Sequence, residues 1–346
     1  MEVENMNSPV PVPCTRLRHT FLHMALPVHD YTSQKTLEGG KIHRVPFKFV
    51  VPLHLPIQVC HHPCANCQVQ QHHLQLPASL GNAGQFFDGA HDMSSDEAQV
   101  SYMIKFALWQ RGPRAKGCRA RVMQEAAQLL HIIPTSQENA PLLVAPKSTW
   151  YQLHTERTLT KGVLRSAVGT LTASTTQPPA IELRHSPRPR DDSELSTAIR
   201  IELRFAPTHP SQSPPRFLSS QLKLKVWTFF GLEPWQDLPD HSSTLNCSFR
   251  HAVWSHTVSL STVPVVLDWK MCKSPAGNGR GSGMVYTTSL DTAVALPPQY
   301  VYPPTFHSCF ISRVYSLKVS LLYQTHVNTR KTSSISLNVP VQIFAS

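Results

Sequence analysis

The feature that most constrains this chain is an alternation of apolar and polar residues with a period of two, which returns in four places. Ile335, Leu337, Val339, Val341 and Ile343 take every odd position near the C-terminus, and Ile199, Ile201, Leu203 and Phe205 alternate with Arg200, Glu202 and Arg204. Leu222, Leu224 and Val226 alternate with Lys223 and Lys225, and Tyr315, Leu317, Val319 and Leu321 with Ser316, Lys318 and Ser320. Successive side chains of a β-strand point to opposite faces, so each segment makes a strand with one face to bury and one for water. The 30 prolines in 346 residues point the same way, because they are too frequent for long helices and suit strand edges and loops. The expected class is all-β, with strands stacked as sandwiches.

Shorter strands are expected at Val45–Val51, Val100–Leu108, Val163–Ala173, Leu245–Leu260 and Met284–Leu290. Turn chemistry separates the strands at Gly39-Gly40, Pro178-Pro179, Ser213-Pro214-Pro215 and the glycine-rich Ser274–Gly283. One segment dissents: Val122, Ala126, Leu129, Leu130 and Ile133 recur at helical spacing within Arg119–Ile133, among good helix formers. Pro134–Pro146 has the composition of a linker, and His185–Asp192 that of a loop.

A chain of this length can hold two domains, each with its own core. The formal charge of +11 is spread out and forms no stripe, so no nucleic-acid partner is expected; weak attraction to acidic partners or an anionic membrane face is the milder implication. No apolar stretch approaches the roughly eighteen residues of a membrane span, and Met1–Pro13 has no secretory pattern. Without a secretory signal, the acceptor pattern Asn246-Cys247-Ser248 carries no glycosylation argument. Eight cysteines are too few for a disulfide scaffold in a chain this long, which points to free thiols in a reducing compartment.

Catalysis finds no support: there is no nucleophile elbow, and no Ser, His and Asp set stands out among 19 histidines. Gly277–Gly283 fits neither phosphate-loop nor dinucleotide spacing and reads as a hairpin connection. No cofactor is expected. The densest chemistry is Cys60-His61-His62-Pro63-Cys64-Ala65-Asn66-Cys67 followed by His72-His73. Cys60, Cys64, Cys67 and His72 would supply four zinc donors, but the spacing matches no finger, and a polar loop is the preferred reading. Pro297-Pro298-Gln299-Tyr300 has the Pro-Pro-x-Tyr form of a WW-domain ligand, in which the prolines preset an extended helix and the ring fills a pocket. The competing reading makes Tyr300, Tyr302 and Phe306 sheet side chains.

Taken together, several segments resemble the arrestin-like proteins of filamentous fungi, relatives of the arrestin-related trafficking adaptors. The first runs from Gly39 through Val45-Pro46-Phe47-Lys48-Phe49-Val50-Val51-Pro52 to Leu76-Pro77-Ala78-Ser79-Leu80-Gly81. The second runs from Val100-Ser101-Tyr102 to Ile132-Ile133-Pro134. The third runs from Arg165 to the end and includes Pro304-Thr305-Phe306-His307-Ser308-Cys309, Ser312-Arg313-Val314-Tyr315 and Val339-Pro340-Val341-Gln342-Ile343. The resemblance implies two immunoglobulin-like, arrestin-type sandwiches. The first is incomplete, because the strands that normally precede Thr20-Phe21-Leu22-His23-Met24 in the family have no counterpart.

The implied organisation is a disordered N-terminus at 1–17, a partial N-terminal sandwich at 18–135, a hinge at 136–164 and a C-terminal sandwich at 165–346. The resemblance also implies that Arg119–Ile133 is a strand. It further implies a cytoplasmic, non-catalytic adaptor, peripheral at the inner face of the plasma membrane or endosomes. Such an adaptor binds membrane-transporter cargo and recruits a WW-domain ubiquitin ligase, here through Pro297, Pro298 and Tyr300. The rival readings are a small zinc-binding protein organised by the Cys60–Cys67 cluster, and a truncated fragment without independent activity.

Overall fold

A computed structural model describes residues 2–4, 16–26, 40–81, 90–110, 121–139, 142, 144, 148, 150–161, 166–183, 195–240, 250–273, 284–325 and 332–346. The glycine-rich loop at 277–283, the 185–192 loop, the acceptor pattern at 246–248 and Gly39 lie outside the described residues. What is described is mostly β, with one short helix, in several sheets whose pairings are antiparallel with one exception.

In the N-terminal part, strands β1 (Glu2–Glu4), β2 (Arg16–Arg18) and β3 (Ala98–Gln99) form a small sheet, with β1 between the other two. Two stretches of the segment expected to be disordered are therefore strands. Helix α1 (Cys67–His73) follows, and strands β4 (Tyr102–Gln110) and β5 (Arg121–Leu130) make a two-stranded ribbon. Strand β5 is the segment whose local spacing suggests a helix; pairing with β4 overrides propensity, and most of its side chains stay exposed. The strand expected at Val45–Val51 is absent. No partner pairs with it among the described residues, and Phe47 and Val50 are exposed, so alternation there has no face to bury.

The C-terminal part contains β6 (His154–Lys161), β7 (Ser166–Thr175), β8 (Ile181–Leu183), β9 (Ser196–Pro207), β10 (Arg216–Gly231) and β11 (His251–Pro264). It continues with β12 (Lys270–Lys273), β13 (Met284–Ala295), β14 (Phe306–His307), β15 (Ile311–Gln324), β16 (Ser333–Val341) and β17 (Ile343–Ala345). One five-stranded sheet runs β12-β13-β9-β7-β6; the other runs β11-β10-β15, with β14 and β16 both on the far side of β15. The exception to antiparallel pairing is β8 with β17. Strand β6 lies inside the stretch expected to be a hinge. Only Leu159 of its described residues is fully buried, too little apolar pattern to announce a strand.

The alternation is the core. Ile199, Ile201, Leu203 and Phe205 of one sheet and Leu222, Leu224, Val226, Tyr315, Leu317, Val319, Ile335, Leu337 and Val339 of the other are buried in one shared cluster. Gly169 of β7 permits the close pairing with β9, since a Cβ there would lie 2.6 Å from the Ala206 carbonyl oxygen. The outer face of β10 and β15 is covered by a second cluster of Trp150, Trp227, Phe229, Trp235 and Val314.

The same β10–β15 pair carries the N-terminal part. Along its inner face Val226 pairs with Tyr315 in the main core, Thr228 with Arg313, and Phe230 with Ile311. Phe230 and Ile311 belong to a separate cluster with Phe21, Leu55, Leu76, Leu80, Val100 and Tyr102. The Thr228–Arg313 row thus divides two apolar cores. The Arg313 guanidinium is fully buried and donates to the Asp92 carbonyl, to Met93 O at 3.5 Å, to Thr228 Oγ1 at 2.5 Å and to Tyr315 Oη at 3.3 Å. The Asp92 carboxylate accepts from Gly81 N at 2.7 Å and from Ser94 Oγ at 2.5 Å, so the loop that meets Arg313 is itself anchored.

Candidate functional site

The chemistry-bearing residues gather where the N-terminal segment meets the turn between β14 and β15. A single 3-10 turn, Ile57–Val59, leads into Cys60, and the loop after it ends at Asn66, whose side chain accepts from Val69 N at 3.0 Å and starts α1. The loop is pinned by Ala65 N donating to Gln236 O at 2.7 Å, and by Gln70 Nε2 donating to Cys60 O at 3.4 Å. On the other side, Trp235 N donates to Cys309 O at 2.8 Å, and the Cys309 thiol approaches Val59 O at 3.8 Å.

Cys60, His62, His73 and Cys309 thereby bring one donor atom each to within 4.8 Å of one another, three of them buried and His62 half-buried. Cys60 Sγ lies 3.4 Å from His62 Nε2, 3.7 Å from His73 Nδ1 and 3.6 Å from Cys64 Sγ. Cys64 Sγ lies 3.8 Å from His73 Nδ1. The other nitrogen of His73, Nε2, is buried and makes no hydrogen bond.

Burial sets the ionisation here. It pushes the thiols of Cys60, Cys64 and Cys309 up to about 11 and holds His73 down to about 4, where His62 and His72 add repulsion. Without added charge, the group consists of neutral thiols and a neutral imidazole.

The set differs from Cys60, Cys64, Cys67 and His72. Cys60 belongs to it and Cys64 lies beside it, 3.6 Å from the Cys60 thiol, but Cys67 opens α1 with an exposed thiol. One residue is about 100° of helical rotation, so His73 faces the thiols while His72 turns to His307, with ring centroids 5.6 Å apart. Burial, with repulsion from His72 and His73, holds His307 down to about 3. Cys309 was hidden from sequence reading by distance along the chain, and its spacing to Cys60 carries no motif.

Pro297, Pro298 and Tyr300 follow β13 directly. Leu296 N donates to Leu195 O at 2.9 Å, Pro298 and Gln299 form a turn, and Tyr300 bridges to His91. Its half-buried ring packs beside His256 and Tyr302, and Tyr302 Oη donates to Pro297 O at 2.9 Å. A WW domain reads both prolines in an extended helix, so engagement needs this turn to open.

A second exposed feature is the β4–β5 ribbon. Phe106, Trp109 and Met123 are 55%, 59% and 55% exposed, while Tyr102 at the ribbon's base is buried and donates to Pro77 O at 2.5 Å. Among the described residues, no helix is long and apolar enough to cross a membrane. No protein-family profile matches the chain, and no curated protein matches it in sequence.

Proposed function

We propose that this chain is a non-catalytic adaptor of arrestin-like architecture, acting in the cytoplasm at the inner face of the plasma membrane or endosomes. Its partners are membrane-transporter cargo and a ubiquitin ligase, and its task is ubiquitin-dependent protein transport. The two sheets that share the main core are read as the C-terminal sandwich, and the segments packed on Phe230 and Ile311 as the partial N-terminal one.

The observation that carries the binding role is the β4–β5 ribbon. A two-stranded ribbon is marginal by itself, and one that exposes Phe106, Trp109 and Met123 and pairs with no further strand among the described residues suits strand addition by an extended partner segment. The occupant proposed is a cytoplasmic segment of a membrane protein, the partner class that the resemblance implies. Ligase contact is assigned to Pro297, Pro298 and Tyr300.

A photo-crosslinking residue in place of Trp109, in the full chain incubated with inside-out plasma-membrane vesicles, tests the cargo role. Integral membrane proteins should be captured there and not from Val266, a control site that is 94% exposed. Equal capture from both positions removes the ribbon from the proposal. For the ligase, isolated WW domains should retain the wild-type chain and lose Tyr300→Ala; equal or absent binding removes that contact.

A further inference from the structure

We propose that Cys60, His73 and Cys309, with a fourth donor from the loop at 62–64, form a tetrahedral centre for a zinc-class divalent cation that staples the N-terminal segment to the β14–β15 turn. This departs from the expectation of no cofactor, and it does not depend on the adaptor reading.

The distances argue for it. Zinc bonds of about 2.3 Å to sulfur and about 2.0–2.1 Å to nitrogen, at tetrahedral angles, place donor atoms about 3.3–3.8 Å apart. Cys60 Sγ lies 3.7 Å from His73 Nδ1 and 3.4 or 3.6 Å from the alternative fourth donors, His62 Nε2 and Cys64 Sγ. The Cys309 donor lies within 4.8 Å of those of Cys60, His62 and His73, so closing the tetrahedron asks Cys309 to move in by at most about 1 Å. The donors come from three places: the loop after the 3-10 turn, α1, and a turn 249 residues beyond Cys60. Chance proximity of soft donors from three segments, three of them buried, is a much weaker explanation than a common ligand. Thiolate and imidazole donors select zinc-like ions over magnesium or calcium, which take oxygen.

A bound dication would offset the charge of thiolate donors in a buried site. His62 Nε2 and Cys64 Sγ both stand on the open side at bonding separation from Cys60, so one of them completes the tetrahedron.

The consequence is mechanical. The N-terminal cluster is small and borrows Phe230, Phe306 and Ile311 from the C-terminal sheet. A cation bound to both sides adds a cross-link next to that cluster, and small cores commonly depend on such staples.

The untagged full chain, purified without chelator, should contain about one zinc ion by elemental mass spectrometry. Metal-free unmutated chain titrated with Co²⁺ should develop the intense thiolate-to-metal charge-transfer band and the visible bands of tetrahedral cobalt. Cys309→Ser and His73→Gln should weaken Co²⁺ binding at least roughly ten-fold, while Cys67→Ser and His72→Gln leave it unchanged. Between Cys64→Ser and His62→Gln, the variant that weakens binding identifies the fourth donor. Three results would overturn the proposal: no charge-transfer band in the unmutated chain, binding indifferent to Cys309→Ser, or an intact mass two daltons low from a Cys60–Cys64 disulfide. The unmutated titration stands even if a variant fails to fold.

Discussion

The two parts of this molecule are stabilised in different ways. In the C-terminal part, two five-stranded sheets bury alternating side chains in one core, so most stabilising contacts repeat a simple pattern along each strand. In the N-terminal part a small sheet, a seven-residue helix and a two-stranded ribbon are collected by a satellite cluster and a handful of specific bonds. Ser79 exchanges bonds with Ile132, Arg313 holds the Asp92–Met93 carbonyls, and Cys60, His73 and Cys309 converge. Repetition gives the first part redundancy, whereas each single contact matters more in the second. Strands β10 and β15 belong to both, which makes the N-terminal part a dependant of the C-terminal sheet.

That asymmetry can be broken at graded cost. The largest effect is expected for Leu317→Ala, which is fully buried in the main core and should cost about 2–5 kcal/mol. Because β15 supports both clusters, the substitution should lower the urea midpoint of the C-terminal sheets, read by tryptophan fluorescence and far-UV circular dichroism, and no N-terminal part should stay folded above that midpoint. Amide protection at 54–80 that outlasts the C-terminal strands would separate what the shared strands should couple.

Arg313→Met comes next. It keeps much of the volume but orphans the buried carbonyl of Asp92, a loss costing about 1–3 kcal/mol, and gives up the longer contact to Met93 O. Amide exchange should accelerate at 92–95 and around Gly81 ahead of any change at β9 or β13. Uniform acceleration would show the Thr228–Arg313 row to be part of the main core rather than the seam between two.

Asn66→Ala removes the cap of α1 and should cost about 1 kcal/mol, felt as fraying of 66–74 and faster alkylation of Cys64. The smallest effect belongs to Lys105→Ala. Its partner Glu125 lies 3.1 Å away across the ribbon, but both side chains are about half exposed, so the loss should stay below about 1 kcal/mol in thermal melts. A larger loss would mean that the ribbon is more firmly buried than its exposed rings indicate.

The same contrast decides what could be read in the sequence. Ile199–Phe205, Leu222–Val226, Tyr315–Leu321 and Ile335–Val341 bury the face their alternation marks, because period-two patterning is a local signature of a global core. But Ser316, on the face expected to be wet, is buried as well and accepts from Trp227 Nε1. The failures are equally physical. Val45–Val51 has strand composition but no neighbour to pair with among the described residues, while β6 has neighbours but little apolar pattern. Strand β5 carries helical spacing that pairing with β4 overrides, so its local periodicity does not announce a strand. At the candidate site, Cys60 and Cys64 stood out because they are close in sequence. The choice between His72 and His73 depends on the rotational phase of α1. Cys309 is brought in by the turn between β14 and β15, which no local spacing encodes.

The N-terminal part should be a less stable dependant of the C-terminal sheets. Native-state hydrogen exchange of the full chain across low urea concentrations tests it directly. Residues 54–80, 98–108 and 121–130 should open at lower free energy than 199–205, 222–226, 315–321 and 335–341. A single opening free energy shared by both groups, or earlier opening of the C-terminal strands, would contradict the account.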